Sequence, residues 1–600
     1  MRSSYDAVPN HLQKYLVQQD YSQYTARDQA AWRYIMRQSR NYFAKHAVPV
    51  YLSGLVKTAI HENYIPKIAE MDAALREFGW GAVAVRGFIP PSVFIELQAM
   101  QILPIAADMR TVEHIAYTPA PDIVHEAAGH APIIADPEYA RYLTSYAKLA
   151  RHAIFSVEDI SLYEAIRVLS DTKENPDKTK EDITAAQAGL NRAIENVTFV
   201  SEASQVARMY WWTAEYGLIG SLETPRIYGA GLLSSVGESR HCLSNAVKKI
   251  RLSLNCIETS YDITEPQPQL FVAEDFTHLT AVLQQLEKLM SFQRGGVYSL
   301  QRAKQARTIT TTCLDSGLQI SGILQNYFAN DENVDYIKFQ GPVALSYGEK
   351  QLAGHDRKRH PDGFSSPLGR LEKNPELLLH KATTEQLSKV GIVEGEFCRL
   401  LFKSGILLEG SLKNLLRAKN GALLLMTFSQ CKVTRGVEIL FSPEWGEFDL
   451  AVGDKIVSVS GGPADVAAYG EQHVGQAATQ PGRQTPYSLQ ENRLIGLYQE
   501  LRELSDRVEK SATLNQDLEQ HISAIVTLQQ KAATQNIEEW LWYLDCLELA
   551  VAINQRQDDS RLEKIINELQ NFLKIKTQKI DSFHSGLLVK WGLELVTAGH

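Results

Sequence analysis

Cysteine is scarce in this chain and is scattered where it occurs. The six, at positions 242, 256, 313, 398, 431 and 546, form neither a CxxC pair nor a dense framework. That spacing argues against a disulfide scaffold and a thiolate metal site, and it suits a reducing compartment, so a cytoplasmic location is expected. Long apolar runs are missing too, and no stretch suffices to span a bilayer. Met1–Leu16 has no basic head followed by an apolar segment, so a secretory signal is not expected. Nor is there a strong charge of one sign: 61 Lys and Arg against 70 Asp and Glu leave a net charge of −9. So mild an acidic excess gives no reason to expect nucleic acid or a membrane surface as a partner.

What the chain does have is length, an ordinary apolar content of 44% and three successive textures. Six hundred residues exceed what one hydrophobic core usually serves, so several domains are expected. Up to about residue 330 the pattern is mainly helical, with helices expected over residues 26–44, 91–108, 139–156, 182–196 and 201–217. Strands are expected at 82–85 and 270–272. Residues 331–480 carry short β-rich runs (422–429, 437–441, 455–460) broken by Gly, Pro and Asn, as in a small sandwich or barrel. Residues 485–600 return to charged helical periodicity, which suits either a domain packed on its own chain or a surface for homo-oligomers. The stretch 469–484, rich in Gly, Gln, Ala and Pro, reads as a linker. The expected fold class is therefore a mainly α domain, then a small β-rich domain and a helical region.

The strongest chemical signal is the run Pro121–His130, with His125, Glu126 and His130. It superficially matches HExxH, in which two His four apart share one helix face and bind zinc. Here the step is five residues, which on a regular helix turns the second imidazole well away from the first. A left-handed helix end at Gly129 would bring it back. A third donor is suggested by Glu215, a single carboxylate inside the aromatic run Tyr210–Gly217, where an unpaired charge would be costly to bury. Two His and one carboxylate with open positions form the facial triad of non-haem iron(II) oxygenases. The sequence alone leaves an Asp or His from elsewhere open as the third ligand.

Several segments then match, in order and separation, one known family. They are Asp20–Thr25, Val85–Pro90, Tyr117–Asp122, His125–Pro132, Tyr210–Leu218, Tyr228–Ser235 and Phe271–Phe276. Over about residues 20–290 the chain resembles the catalytic domain of the pterin-dependent aromatic amino acid hydroxylases. The resemblance implies a monooxygenase that hydroxylates the ring of a free aromatic amino acid with iron(II), a tetrahydropterin and O2. It implies His125, His130 and Glu215 as iron ligands. Arg110, oriented by Asp122, corresponds to the arginine that holds the substrate carboxylate. Thr118, Pro119, Trp211, Gly231, Ser234 and Ser235 correspond to the rest of the amino acid pocket, with Ser234 behind an iron-bound imidazole. Gly87, Ile89, Phe94, Glu126, Ala207 and Tyr210 fall on the pterin side, and Glu126 and Tyr261 are candidate catalytic groups. Tyr216 stands where the family usually has phenylalanine. Aliphatic Ile263, near a position that shapes the pocket, favours phenylalanine over tyrosine as substrate, because a tyrosine hydroxyl would go unpaired there; tryptophan stays open.

The second half is not covered by the resemblance. Its one prominent loop, Gly354–Phe364, is basic and contains His355 and His360; it reads either as an anion site or as a solvated loop. Two other classes remain to weigh: an amino acid sensor without catalysis, which needs no iron, and a zinc hydrolase, which the five-residue step disfavours. All residues assigned to chemistry precede residue 330, so a chain ending near Glu332 is expected to fold and hydroxylate its substrate.

Overall fold

A computed structural model describes residues 3–116, 121–174, 178–262, 266–331, 333–470, 487–510, 518–556, 559–579 and 583–597. The element that organises the molecule is the helix Ala26–His46. Thr25 starts it with a capping box: its hydroxyl accepts from Asp28 N–H at 3.2 Å and Asp28 accepts from Thr25 N–H at 2.8 Å. Lys45 and His46 close it at the negative end of its dipole. Ala30, Ala31, Trp32, Tyr34, Ile35 and Met36 are all buried, more than one face of a surface helix supplies. The helix is covered from two sides, by the first part of the chain and by the last.

Around it lie the helices of the first 306 residues and two small sheets. β1 (Gly81–Val85) and β2 (Ile102–Ala106) pair in parallel and are buried along their whole length. β3 (Leu218–Ile219), β4 (Arg226–Ile227), β5 (Lys248–Arg251) and β6 (Gln269–Ala273) form a second sheet in the order β4-β3-β6-β5. The helix expected over 91–108 is in fact Pro91–Ala99 followed by β2. Gln101 sits at φ 61°, a left-handed residue that ends the helical path, and the Ile-rich run after it pairs with β1.

The β region begins earlier than its texture suggests. β7 (Ile309–Leu314), β8 (Leu318–Asn330), β9 (Asn333–Tyr347), β10 (Lys350–Gln351), β11 (Gly363–Pro367) and β17 (Ile456–Gly461) make one six-stranded sheet, ordered β10-β9-β8-β7-β17 with β11 also on β9. β12 (Phe397–Leu401), β13 (Ile406–Arg417), β14 (Leu423–Arg435), β15 (Glu438–Phe441) and β16 (Phe448–Ala451) make the other, with β16 on β14. The boundary expected at residue 330 therefore falls inside the β8–β9 hairpin. β7 (ITTTCL) buries three successive Thr, so no apolar–polar alternation marks it as a strand. Leu424, Leu425 and Ala451 of the second sheet enter the core of the first, which joins the two. The expected linker lies almost wholly outside the described residues.

Among the described residues the last five helices are Leu489–Lys510, Leu518–Thr534, Trp540–Asn554, Ser560–Lys579 and Phe583–Thr597. The apolar periodicity of the first, Leu497, Tyr498, Leu501, Leu504 and Val508, is buried within this chain and belongs to the same apolar cluster as Trp32 and Tyr34. Polar contacts reinforce the seam. Arg27 Nε donates to Glu539 Oε1 at 3.0 Å, Arg33 Nη2 to Asp545 Oδ2 at 3.0 Å, and Tyr34 OH to Leu588 O at 2.5 Å. Among the described residues no helix is long and apolar enough to cross a membrane.

Candidate metal and substrate site

Two π-helical turns shape the site. Residues Val124–His130 and Trp211–Glu215 each widen to i→i+5 hydrogen bonds, and each contains the candidate ligands. A wider turn brings the fifth residue back beside the first, so His125 and His130 converge without a helix break. The left-handed end expected at Gly129 is not there: this glycine is missing from the residues with positive φ. Its role is space. A Cβ on Gly129 would come within 2.7 Å of Ala230 O, so a side chain would push away the loop that carries Gly231 and Ser234.

The three donors meet in one place. His125 Nε2 lies 3.3 Å from Glu215 Oε2, and His130 Nε2 lies 3.1 Å from Glu215 Oε1. Among the described residues this is one of two clusters in which three such ligand atoms lie within 4.8 Å of one another. Burial alone would raise the Glu215 carboxyl, but the two imidazoles beside it outweigh burial and hold it well below the usual range. The carboxylate side chain is 12% exposed and His130 1%, so these groups are largely desolvated. His125 Nδ1 lies 3.1 Å from Ser234 Oγ, which donates on to Gly231 O at 3.3 Å. That chain fixes the ring with Nε2 toward Glu215. Gly231 also lets the loop close: a Cβ there would meet the Tyr216 ring at 2.9 Å.

Arg110 sits beside the triad with its side chain 1% exposed. Its Nε donates to Asp122 Oδ2 at 2.6 Å, Nη2 to Asp122 Oδ1 at 2.8 Å and Nη1 to Ser234 O at 2.9 Å. Asp122 also accepts from His125 N at 3.0 Å, so one carboxylate ties the guanidinium to the ligand helix. Ser235 Oγ donates to Ala116 O at 2.8 Å and accepts from Glu238 N at 3.2 Å, which anchors the other end of the loop. Trp211 stacks between Tyr216 (ring centroids 4.5 Å) and Tyr261 (4.3 Å), and its buried indole N–H has no partner among the described residues. Tyr216 OH donates to Glu238 Oε2 at 2.7 Å, and burial pushes that carboxyl up to about 7. Glu238 carried no signal in the sequence; only its pairing with the unusual Tyr216 marks it. Thr118, Pro119 and Ile263 lie outside the described residues.

On the other side of the triad Phe94 packs edge-on against Tyr210 (6.1 Å, 85°), and Tyr210 OH accepts from Gln98 Nε2 at 2.9 Å. Glu126 Oε2 and Gln98 Oε1 are buried acceptors without partners among the described residues. Burial pushes the Glu126 carboxyl up to about 8. Gly87 has φ 56°, which favours glycine, and its N–H donates to Asp108 Oδ2 at 3.3 Å. Ile89 packs on the small core under β1, and Ala207 lies exposed one turn before Tyr210. Gln98 was not singled out from the sequence, because one Gln on a helix carries no pattern.

Residues 10–151 and 196–322 match the model of the family described as biopterin-dependent aromatic amino acid hydroxylase. Phenylalanine-4-hydroxylase of Pseudomonas aeruginosa is 28% identical over 264 residues, 44% of this chain and 84% of that protein. The Chromobacterium violaceum phenylalanine-4-hydroxylase is also 28% identical over 264 residues, covering 44% and 74%. A crystal structure of the C. violaceum enzyme with bound iron(III) and 7,8-dihydrobiopterin is 25% identical, covers 47% of this chain and 92% of that one, and gives a TM-score of 0.36.

Proposed function

We propose that the chain is a monooxygenase that converts free phenylalanine to tyrosine, a reading supported by the match of residues 10–151 and 196–322 to the biopterin-dependent aromatic amino acid hydroxylase model. The observation that carries this reading is the convergence of His125, His130 and Glu215 on one point, next to a buried arginine with donors to spare. The donor set fits iron(II), since two imidazoles and one carboxylate would leave adjacent positions open on the ion. The polar lining fits a tetrahydropterin, since the unpaired acceptors of Glu126 and Gln98 call for N–H donors such as its ring supplies. Iron(II) and the pterin supply the electrons without which O2, spin-forbidden toward a closed-shell ring, does not react.

The protein's own part is positioning and exclusion of water. Three of the five guanidinium donors of Arg110 are held by Asp122 and Ser234, which leaves two for the amino acid carboxylate. The edge of Trp211, held by the stacked rings of Tyr216 and Tyr261, would line the ring pocket. Phe94 and Tyr210 offer aromatic surface on the pterin side, and Gly87 keeps the backbone edge there open. Six free cysteines support a cytoplasmic setting. The division into a catalytic region, a β-rich region from Ile309 and a set of covering helices is part of the proposal.

The test is turnover of phenylalanine, tryptophan and tyrosine with a tetrahydropterin and O2, with products resolved by mass. A gain of one oxygen on phenylalanine, absent in Glu215→Ala, supports the reading. Turnover of tryptophan alone would move the substrate, and no oxygenated product from any of the three would refute it.

A further inference from the structure

The second cluster of ligand atoms lies in the β region, in the basic loop that the family resemblance does not reach. His355 and His360 come from the segment between β10 and β11, and Asp449 from β16. The loop is tied to β9: Leu345 N–H donates to His355 O at 3.0 Å and Val343 N–H to His360 O at 3.0 Å. Asp449 belongs to the other sheet, through the pairing of β16 with β14. The three side chains thus face one another across the junction of the two sheets. They are buried, with 12%, 9% and 1% of each side chain exposed.

Their spacing is not that of a hydrogen-bonded triad. His355 Nδ1 and His360 Nε2 lie 3.9 and 3.8 Å from Asp449 Oδ2, beyond hydrogen-bond reach, and 3.5 Å from each other. It is the spacing of donors around a cation. The point equidistant from the three atoms lies about 2.2 Å from each, against about 2.0–2.2 Å for transition-metal bonds to imidazole and carboxylate. Asp449 is already oriented: Thr427 Oγ1 donates to Oδ1 at 2.6 Å, and Arg359 approaches Oδ2 with both Nε and Nη2 at 3.2 Å. The Arg359 charge is in turn met by Glu447 at 2.8 Å, so the guanidinium does not stand alone against a cation.

We propose that His355, His360 and Asp449 bind a divalent first-row transition-metal ion that fastens the two sheets together, at a site separate from the candidate catalytic triad. Two nitrogens and one carboxylate oxygen suit zinc, cobalt, nickel or iron(II) and not calcium or magnesium, which take oxygen cages. Three protein donors leave at least one position for water.

Full-length protein stripped with a chelator is titrated with cobalt(II), and bound metal is counted by mass spectrometry after gel filtration. Wild type is expected to bind two equivalents. His130→Ala/Glu215→Ala is expected to keep one, with visible cobalt absorption and a metal-dependent rise in melting temperature. His355→Ala/His360→Ala is expected to lose the second equivalent while circular dichroism and hydroxylation are retained. A wild type that binds one equivalent, lost entirely in His130→Ala/Glu215→Ala, overturns the proposal; so does a second equivalent that persists in His355→Ala/His360→Ala. Should that variant not fold, Asp449→Asn and the wild-type stoichiometry decide the question.

Discussion

Replacing Arg110 by alanine tests the assignment of the substrate carboxylate, and the structure says that two effects must be separated. The first is on binding. A charge-assisted bond from the guanidinium to the amino acid carboxylate contributes about 2 kcal/mol or more. Its loss raises the KM for phenylalanine by about 30-fold or more. The second effect is on stability. Asp122 is 4% exposed and receives two of the Arg110 donors at 2.6 and 2.8 Å. Without them a carboxylate is left buried and unpaired, at a cost of about 3–5 kcal/mol. Because Asp122 also accepts from His125 N–H, that strain would be felt at the metal. The combined change Arg110→Ala/Asp122→Asn removes the orphaned charge and leaves an amide oxygen for His125. The expected result is a melting temperature recovered toward wild type, iron content kept, and KM still raised. Steady-state kinetics at saturating pterin, metal analysis and thermal melts read the three quantities. An unchanged KM in either variant would refute the role of Arg110.

Glu215→Ala should lose turnover and most bound iron, since the triad's only anion is gone; near-native iron content would show that Glu215 is not a ligand. Ser234→Ala removes the partner of His125 Nδ1 and should weaken iron binding by about 10–100-fold with the fold intact, measured by competition with a chelator. A chain ending at Asp331 should aggregate or melt far below the full chain. It cuts the β8–β9 hairpin and uncovers the helix Ala26–His46, where Tyr34 and Trp32 are buried; soluble, active material would show that the later helices are dispensable. Glu238 is raised to about 7 by burial, so its contribution to stability is full below about pH 4.5 and is lost as the pH rises through 7. Glu238→Gln should flatten that part of the stability profile, by on the order of 2–4 kcal/mol; melting temperatures of the two proteins that run parallel from pH 5 to 8 would contradict the raised value.

The candidate site is legible in the sequence because its residues lie in short segments. His125 and His130 are five residues apart, Glu215 stands alone among aromatic residues, and Asp122 lies three residues before His125. Local signals of this kind survive without knowledge of the fold, as do the helix expected from residue 26 and the strands expected at 82–85 and 270–272. The tertiary structure decided the rest. The π-turns that bring the imidazoles together depend on packing that a helical period cannot express, and Gly129 serves close approach to Ala230 in place of a turn. The start of the β region at Ile309 is not legible because β7 buries three successive Thr and shows no apolar–polar alternation. Asp449 reaches His355 and His360 from about ninety residues away, and the helices after residue 489 reach Ala26–His46 from the far end of the chain. Periodicity tells which face of a helix is apolar and not what covers it; the partner is chosen by complementary surfaces that meet only in the folded chain.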